Sequence, residues 1–321
     1  MKAIRVREFG PPSVMKLEEG PDLEPQEGQV LVAVEASGVN PVEVYVRSGA
    51  YPVLPALPYV PGNDAAGRVA SVGPGVTRFK VGDRVYTFAR SGGAYATQML
   101  AAEGFVQHLP ERVSFAQGAA LGVPYGTAHR ALFGRAYARP GETVLVHGAS
   151  GGVGTAAVQL ARAAGLRVFG TAGTPAGLKA VISSGAHEAF DHSNPHYWDE
   201  IMAATQGKGL DVIVEFLANI NLAKDLSGLS QGGRVAVVGS RGPIEIDPRA
   251  TISRDLAIVG VGLGNVSVPE LGSIHSAVLA GLENGSLNPV VACELPLADA
   301  PEAHERVMQG GKNGKVVLTH R

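Results

Sequence analysis

Cysteine is almost absent from these 321 residues. Cys293 stands alone, so neither an internal disulfide nor a cysteine-rich metal cluster can be built. A reducing, intracellular compartment suits such a chain. An excess of one charge is missing too: 27 Lys and Arg face 29 Asp and Glu, a formal net charge of −2, which leaves no global positive field to draw in nucleic acid. Charged residues are sparse at 17%, against 45% hydrophobic, a balance that excludes charge-driven disorder. Long apolar runs are also lacking. The best of them, such as LAIVGVGL at 256–263, are strand-sized and far short of the ~20 residues that span a bilayer as a helix. The opening MKAIRVREFG carries charges at positions 2, 5, 7 and 8 with no apolar stretch behind them, unlike a secretory signal. The expectation is a cytoplasmic protein with no membrane partner.

Glycine, at 43, and proline, at 21, are plentiful. They punctuate periodic apolar segments without any three-residue repeat, so they mark turns. The length suggests two lobes. In residues 1–124, strand-like segments near 3–7, 30–37, 65–72 and 84–87 are separated by PGND, GPG and VGD turns, which predicts a mostly β lobe. Past Pro124 the pattern changes to a helix-like 127–136 and a strand, glycine loop and helix over 140–165. Strand candidates then follow at 167–170, 189–190, 211–215, 234–238 and 256–261, with helical material at 178–184, 195–205 and 222–229. Crossovers of that length join parallel strands, so 125–264 reads as a doubly wound α/β domain. Helical stretches at 269–285 and 297–311 and a strand at 314–319 cannot bury a core of their own. Residues 265–321 are expected to return to the first lobe.

TVLVHGASGGVGTAAVQLARAAG at 143–165 is the strongest local motif. Gly148, Gly151 and Gly154 lie three apart with Gly152 added, a departure from the strict GxGxxG spacing that serves the same physical purpose. Bare backbone lets a diphosphate approach a helix N-terminus, and Gly154 lets the helix pack on the strand. A glycine-rich turn without a cofactor is the alternative; a kinase-type loop lacks its GK[ST]. About 20 residues on, where an acid would hold the adenosine ribose hydroxyls, RVFGTAGTPAGLKA at 167–180 has none. Thr171, Gly173 and Thr174 leave room and donors for a 2′-phosphate and Lys179 offers charge, which favours NADPH over NADH. RVAVVGSRG at 234–242 delivers Gly239, Ser240 and Arg241 at a strand end, either as cofactor contacts or as a surface turn.

Taken together, GVNPVEVYVRSGAY at 38–51, PGNDAAGRVASVG at 61–73, GAALGVPYGTAHRAL at 118–132, HGASGGVGTAAVQLA at 147–161 and GRVAVVGSRGPIEIDPR at 233–249 resemble the ζ-crystallin-like, zinc-independent quinone oxidoreductases of the medium-chain dehydrogenase/reductase superfamily, almost end to end. The resemblance implies a GroES-like catalytic lobe, a Rossmann-type lobe and NADPH in the cleft between them. It implies one-electron reduction of ortho-quinones to semiquinones by a homodimer or homotetramer. Carried over residue by residue, it places Tyr45 near the nicotinamide and Ser150, Gly151, Gly152 and Val153 around the diphosphate. Gly173 and Lys179 fall near the adenosine phosphate, and His192 and Asn221 line the nucleotide cleft. Val238, Gly239, Ser240 and Arg241 follow the fifth strand, while Val261, Gly262 and Leu263 close on the nicotinamide side. Metal-dependent relatives carry a Cys after the second long strand and a GHE motif after a PG turn. Here Asn40 and Asn63 stand in those places, and no metal is expected, since catalytic zinc takes three protein ligands.

Quinones suit a site without a Lewis acid because they are already electrophilic. Asn40 either donates its amide to a substrate oxygen or caps a turn. Tyr45 either meets the acceptor with its phenol or forms a cofactor wall, and Tyr51 either lines the pocket or packs its own loop. Thr127, read as the start of the 127–136 helix, either reaches the nicotinamide side or caps that helix. Arg241 either meets the adenosine phosphate or is solvated. Two other functions stay open: NADPH-dependent reduction of the conjugated C=C of enones or alkenals, and an AU-rich RNA-binding or structural role. The net charge and the lack of an RNA-recognition, KH or zinc-finger motif weigh against RNA.

Overall fold

The computed structural model describes residues 1–88 and 93–320. Two compact units emerge, one formed by Met1–Val123 with the stretch from Pro289 onward, the other by Pro124–Asn288.

The first unit begins with an antiparallel ribbon of β1 (Lys2–Val6) and β2 (Met15–Glu19). β3 (Gln29–Val39) is its longest strand, and its alternating apolar residues Val30, Val32 and Val34 point into the core. β4 (Asp64–Val72) and β6 (Gln98–Ala102) pair with β3, β5 (Arg84–Thr87) with β4 and β7 (Val106–His108) with β5, each pair antiparallel in one sheet. This lobe is not all β. Between β3 and β4 runs the Pro41–Ser48 helix, which opens with proline at its first position and ends at Gly49, whose φ of 79° suits only glycine well.

In the second unit β8 (Thr143–Val146), β9 (Arg167–Ala172), β10 (Glu188–Asp191), β11 (Leu210–Glu215), β12 (Leu229–Val237) and β13 (Ala257–Gly260) form one sheet in which every pair is parallel. Its order, β10-β9-β8-β11-β12-β13, is the 3-2-1-4-5-6 of dinucleotide-binding sheets, and the order reverses between β8 and β11. Leu145, Phe169, Ile213 and Val235 from four of these strands share a core with Ile201, Leu222 and Leu226 from the crossover helices.

β14 (Val291–Pro296) and β15 (Lys315–Thr319) then complete the first unit's sheet, β15 pairing antiparallel with Ala36–Val39 of β3. The return falls at Pro289, not at 265. The Val268–Asn284 helix stays with the second unit, where Glu270 pairs with Arg130 and Gly281 packs against Leu287.

Candidate functional site

Because all six strands of the second unit run the same way, their C-terminal ends share one edge, and ligands of open α/β sheets bind there. The segments that follow those ends are His147–Gly154, Gly173–Thr174, His192, Phe216–Asn221, Val238–Arg241 and Val261–Leu263. Nearly every second-unit residue singled out from the sequence lies in them. Gly151 caps the Gly152–Ala163 helix, whose first amides emerge at Gly152 and Val153. Gly148 has a φ of 52°. A Cβ on Gly154 would sit 2.5 Å from the Gly148 carbonyl oxygen and 2.7 Å from Ala149 Cα, so the helix approaches its own loop as only glycine allows. Gly177, in the first turn of the Pro175–Ser183 helix, brings Ser150 Oγ and Thr174 Oγ1 to one spot: a Cβ there would lie 3.4 Å and 3.1 Å from them. Gly173 faces His192, whose Nε2 would be 2.6 Å from any Cβ at 173. Burial holds the His192 imidazole below its ordinary range, with Asp191 opposing and His147 assisting, so it is neutral at pH 7.

Thr171 and Thr127 are placed differently from the sequence expectation, and Thr174, Asn221, Lys179 and Arg241 have defined surroundings. Thr171 is fully buried and its hydroxyl accepts from Gly148 N at 3.1 Å, so it braces the glycine loop rather than offering a donor to a phosphate. Thr174 caps the following helix by accepting from Gly177 N at 3.0 Å. Thr127 lies in the second turn of the Gly122–His129 helix, buried, and neither starts nor caps it; the 130–135 turn that continues this helix is π-helical. Asn221 gives its amide to both carboxylate oxygens of Glu215, at 3.3 Å and 3.1 Å. Lys179 and Arg241 have exposed side chains, and Arg241 N is held by Asn219 Oδ1 at 2.9 Å.

The first unit holds a buried polar network that sequence reading mostly missed. Of the two roles open to Asn40, substrate donor or cap, its position is that of a cap: it precedes Pro41–Ser48, is 3% exposed, and Nδ2 donates to Glu43 Oε1 at 3.1 Å and Asp64 Oδ2 at 2.9 Å, while Oδ1 accepts from Lys315 Nζ. Both amide hydrogens are therefore committed within the protein. Lys315 also meets Asp64 Oδ2 at 2.9 Å, and Asp64 Oδ1 accepts from Val123 N at 2.7 Å. Glu43 gathers the backbone N–H of Asn40 and Asn63, the Asn63 amide and the Tyr95 hydroxyl. Behind it the direction of each hydrogen bond is fixed. Arg47 Nε donates to His304 Nδ1 at 3.2 Å, which leaves the imidazole proton on Nε2, facing the Tyr95 oxygen at 3.2 Å, and Tyr95 in turn donates to Glu43 Oε2 at 2.7 Å. Burial, helped by the Arg47 charge, pushes His304 down to about 3, so this chain of groups carries no imidazolium. Burial raises Glu43, with Lys315 opposing. The NPVE spacing, a helix-capping signature with Glu at the third helical position, is the signal that could have found Glu43. Tyr45, half-buried on the same helix, and Tyr51, 41% exposed beyond Gly49, are the aromatic residues this segment offers.

The fold's metal-dependent relatives raise the question of zinc. At the counterpart positions Asn40 and Asn63 turn N–H groups inward, and the Lys315 ammonium already neutralises Asp64. That donor set repels a cation, and the residues present do not fit a catalytic zinc.

Comparison with known proteins bears on the whole chain. A family described as the alcohol dehydrogenase GroES-like domain matches residues 26–111, and one described as zinc-binding dehydrogenase matches 152–275. The quinone oxidoreductase of Mus musculus is 53% identical over 99% of this chain and 97% of its own length. This chain belongs to the quinone oxidoreductase family. Within the medium-chain dehydrogenase/reductase superfamily it falls in the zinc-independent branch, with a GroES-like unit and a Rossmann-type unit. Among solved structures, an NAD-dependent alcohol dehydrogenase superposes with a TM-score of 0.92 at 29% identity, covering 100% of both chains. The Escherichia coli quinone oxidoreductase complexed with NADPH does so at 0.90 and 28%, again covering 100% of both. Among the described residues, no helix of this quinone oxidoreductase is long and apolar enough to cross a membrane.

Proposed function

We propose that this quinone oxidoreductase oxidises NADPH and reduces ortho-quinones by one electron each, so that one NADPH serves two quinones. The observation that carries the reading is the C-terminal edge of the six-stranded sheet. There a glycine loop opens onto a helix N-terminus, and the 173–180 stretch after β9 offers glycine, threonine and Lys179 but no acid. Bound there, NADPH supplies reducing equivalents from its dihydronicotinamide ring. The amides at Ser150, Gly151, Gly152 and Val153 hold the diphosphate, because a helix N-terminus carries partial positive charge and unpaired N–H groups. Gly173, Thr174 and Lys179 receive the adenosine 2′-phosphate, and neutral His192 walls that end without charge. Asn221, Val238 to Arg241, Val261 to Leu263 and Thr127 shape the rest of the cofactor surface.

In the first unit Tyr45 and Tyr51 orient the acceptor through ring faces and phenols. Asn40 acts one step back, by fixing the start of the helix that bears Tyr45. An acceptor that needs no Lewis acid follows from this inventory, and quinones are electrophilic without one. Assembly as a homodimer or homotetramer belongs to the same proposal. β13 ends the second sheet with an edge that pairs with no other strand among the described residues and on which Ile258 is 39% exposed, the kind of edge that a second copy covers.

Steady-state rates with NADPH and 1,2-naphthoquinone, 9,10-phenanthrenequinone and an unsaturated aldehyde test the reading, with semiquinone formation followed by electron paramagnetic resonance in the first turnovers without oxygen. We expect quinones to be favoured by at least about tenfold in kcat/KM and a semiquinone signal that forms as fast as NADPH is consumed, before disproportionation returns half of it as quinone. Faster reduction of the aldehyde would overturn it in favour of conjugated C=C reduction. Hydroquinone formed from the first turnover with the semiquinone signal lagging behind it would replace single-electron with two-electron transfer.

A further inference from the structure

Beneath the glycine loop lies a buried group of ionisable side chains to which the proposed chemistry assigns no part. His147 is the last residue before Gly148, Glu215 ends β11, and Asp225 lies on the Ala218–Gly228 helix. They are 6%, 0% and 0% exposed. His147 Nε2 is 2.9 Å from Asp225 Oδ1, to which it is hydrogen-bonded, and 3.4 Å from Glu215 Oε2, which it meets as a charge. The other Asp225 oxygen is buried and has no hydrogen-bond partner among the described residues. Two buried carboxylates around one imidazole are costly unless the imidazole is charged.

The position of this group is as telling as its chemistry. His147 and Glu215 terminate β8 and β11, the two strands between which the sheet order reverses, and that switch point is where α/β sheets place their ligands. Glu215 also accepts from Leu217 N and the Asn221 amide, and its backbone carbonyl accepts from Val238 N at 2.8 Å and Gly239 N at 3.3 Å. One cluster thus joins the glycine loop, the Asn221 helix and the 238–241 segment, three stretches the cofactor reading uses separately.

We propose that His147, Glu215 and Asp225 are positioning residues for the dinucleotide, the imidazolium of His147 tying the glycine loop to its two neighbouring strand-end segments so that loss of its proton loosens the loop and weakens NADPH. The proposal rests on the NADPH reading of this edge. Losing the proton acts twice: the neutral ring can still give an Nε2–H to Asp225 but without the charge that strengthens the tie, and a second uncompensated negative charge is left below an anionic diphosphate. Burial pulls His147 down, but the hydrogen bond and charge of Asp225 and the charge of Glu215 outweigh it and raise the imidazole above its ordinary range. Burial lifts Glu215 to about 7. Lys224, on the helix of Asp225, opposes the imidazole's charge, and His192, beyond β10, is itself lowered by His147.

The test compares the full-length protein with His147→Gln, which keeps a donor near the Nε2 position but cannot be charged. NADPH affinity is measured by fluorescence without acceptor between about pH 6 and about pH 9. The 2′-phosphate titrates near pH 6 in both proteins and cancels in their ratio. We expect His147→Gln to bind NADPH about tenfold more weakly at the acid end and within about twofold at the alkaline end. In the free wild-type protein, ¹⁵N shifts should report an imidazolium at His147 at neutral pH. A ratio that does not change with pH, or a neutral His147 at about pH 6, overturns the proposal. If His147→Gln does not fold, the wild type alone carries the test: above the range of the 2′-phosphate its NADPH affinity should fall over the same pH range in which the ¹⁵N shifts show His147 losing its proton, and a fall over any other range overturns the proposal. Wild type that binds no NADPH at any pH overturns the cofactor reading and the coupling with it, while the imidazole shifts still report independently whether the cluster holds its proton.

Discussion

Replacing Lys315 by methionine probes the buried network of the first unit. The side chain of Lys315 is 4% exposed and that of Asp64 0%, with Nζ 2.9 Å from Oδ2. Methionine has similar length and leaves little cavity, so the effect is that of the charge and the hydrogen bonds Nζ gives to Asp64 and Asn40. Removing one partner of a buried pair strands the other in a low-dielectric interior, which costs about 3–5 kcal/mol. At about 2–4 °C per kcal/mol for a unit of this size, melting should fall by roughly 6–20 °C. The loss depends on pH with a definite sign. Burial already raises Glu43, and Lys315 is the group that opposes this; without it Glu43 rises further. A carboxyl whose folded pKa lies above its unfolded value favours the folded state when protonated. The deficit of Lys315→Met therefore shrinks from about pH 8 toward about pH 5. The double variant Lys315→Met/Asp64→Asn, which leaves no stranded carboxylate at 64, should recover at least about half of the loss. Thermal melts followed by circular dichroism supply the measurement. A single variant melting within about 2 °C of wild type at every pH would refute the reasoning, because Asp64 would then have found compensation without Lys315.

Gly173→Asp should lower kcat/KM for NADPH by at least about tenfold more than for NADH, since it sets a carboxylate where the 2′-phosphate is proposed to sit and crowds His192; an equal loss with both cofactors would remove Gly173 from the specificity site. Tyr45→Phe keeps the ring and should cost no more than about tenfold in kcat/KM, the worth of one ordinary hydrogen bond, whereas a collapse of ~10⁴-fold at unchanged NADPH affinity would make the phenol essential to the chemical step. Stability itself should respond to the cluster under the glycine loop. His147 and Glu215 are both raised on folding, so the folded state binds more protons near neutrality and melting temperature should decline as pH rises through about 7, a slope that Glu215→Gln should flatten in a differential scan.

The second unit was far more legible in the sequence than the first. Its strands are short apolar runs bounded by glycine, and the glycine loop names the strand and helix on either side of it, so even the edge carrying the candidate residues could be foreseen. The Pro41–Ser48 helix defeated the same method. Its buried positions are Glu43 and Arg47, one turn apart, while Val42, Val44 and Val46 are only half-buried, which inverts the pattern that periodicity looks for. Asn40 could be found, yet its committed amide could not, because its partners Asp64 and Lys315 lie 24 and 275 residues away. The return point was misplaced for a related reason. The Val268–Asn284 helix is held by Gly281 against Leu287 and by Glu270 against Arg130, contacts that helical periodicity does not encode.

The pairing of β15 with the Ala36–Val39 half of β3 sets a timetable for biosynthesis. These two strands are made far apart in time: at about 5–20 residues per second, roughly 15–60 s separate the emergence of Val39 from that of Thr319. The whole Rossmann-type unit is translated in that interval and has its own core to fold on. The GroES-like sheet must wait, with Ala36 to Val39 offering an unpaired edge and the places of Val316 and Leu318 in the core unfilled. A nascent chain stalled after Asn288 but before β15 therefore presents one finished unit and one sticky, incomplete sheet, which makes this edge the place where chaperones on the ribosome have most to guard.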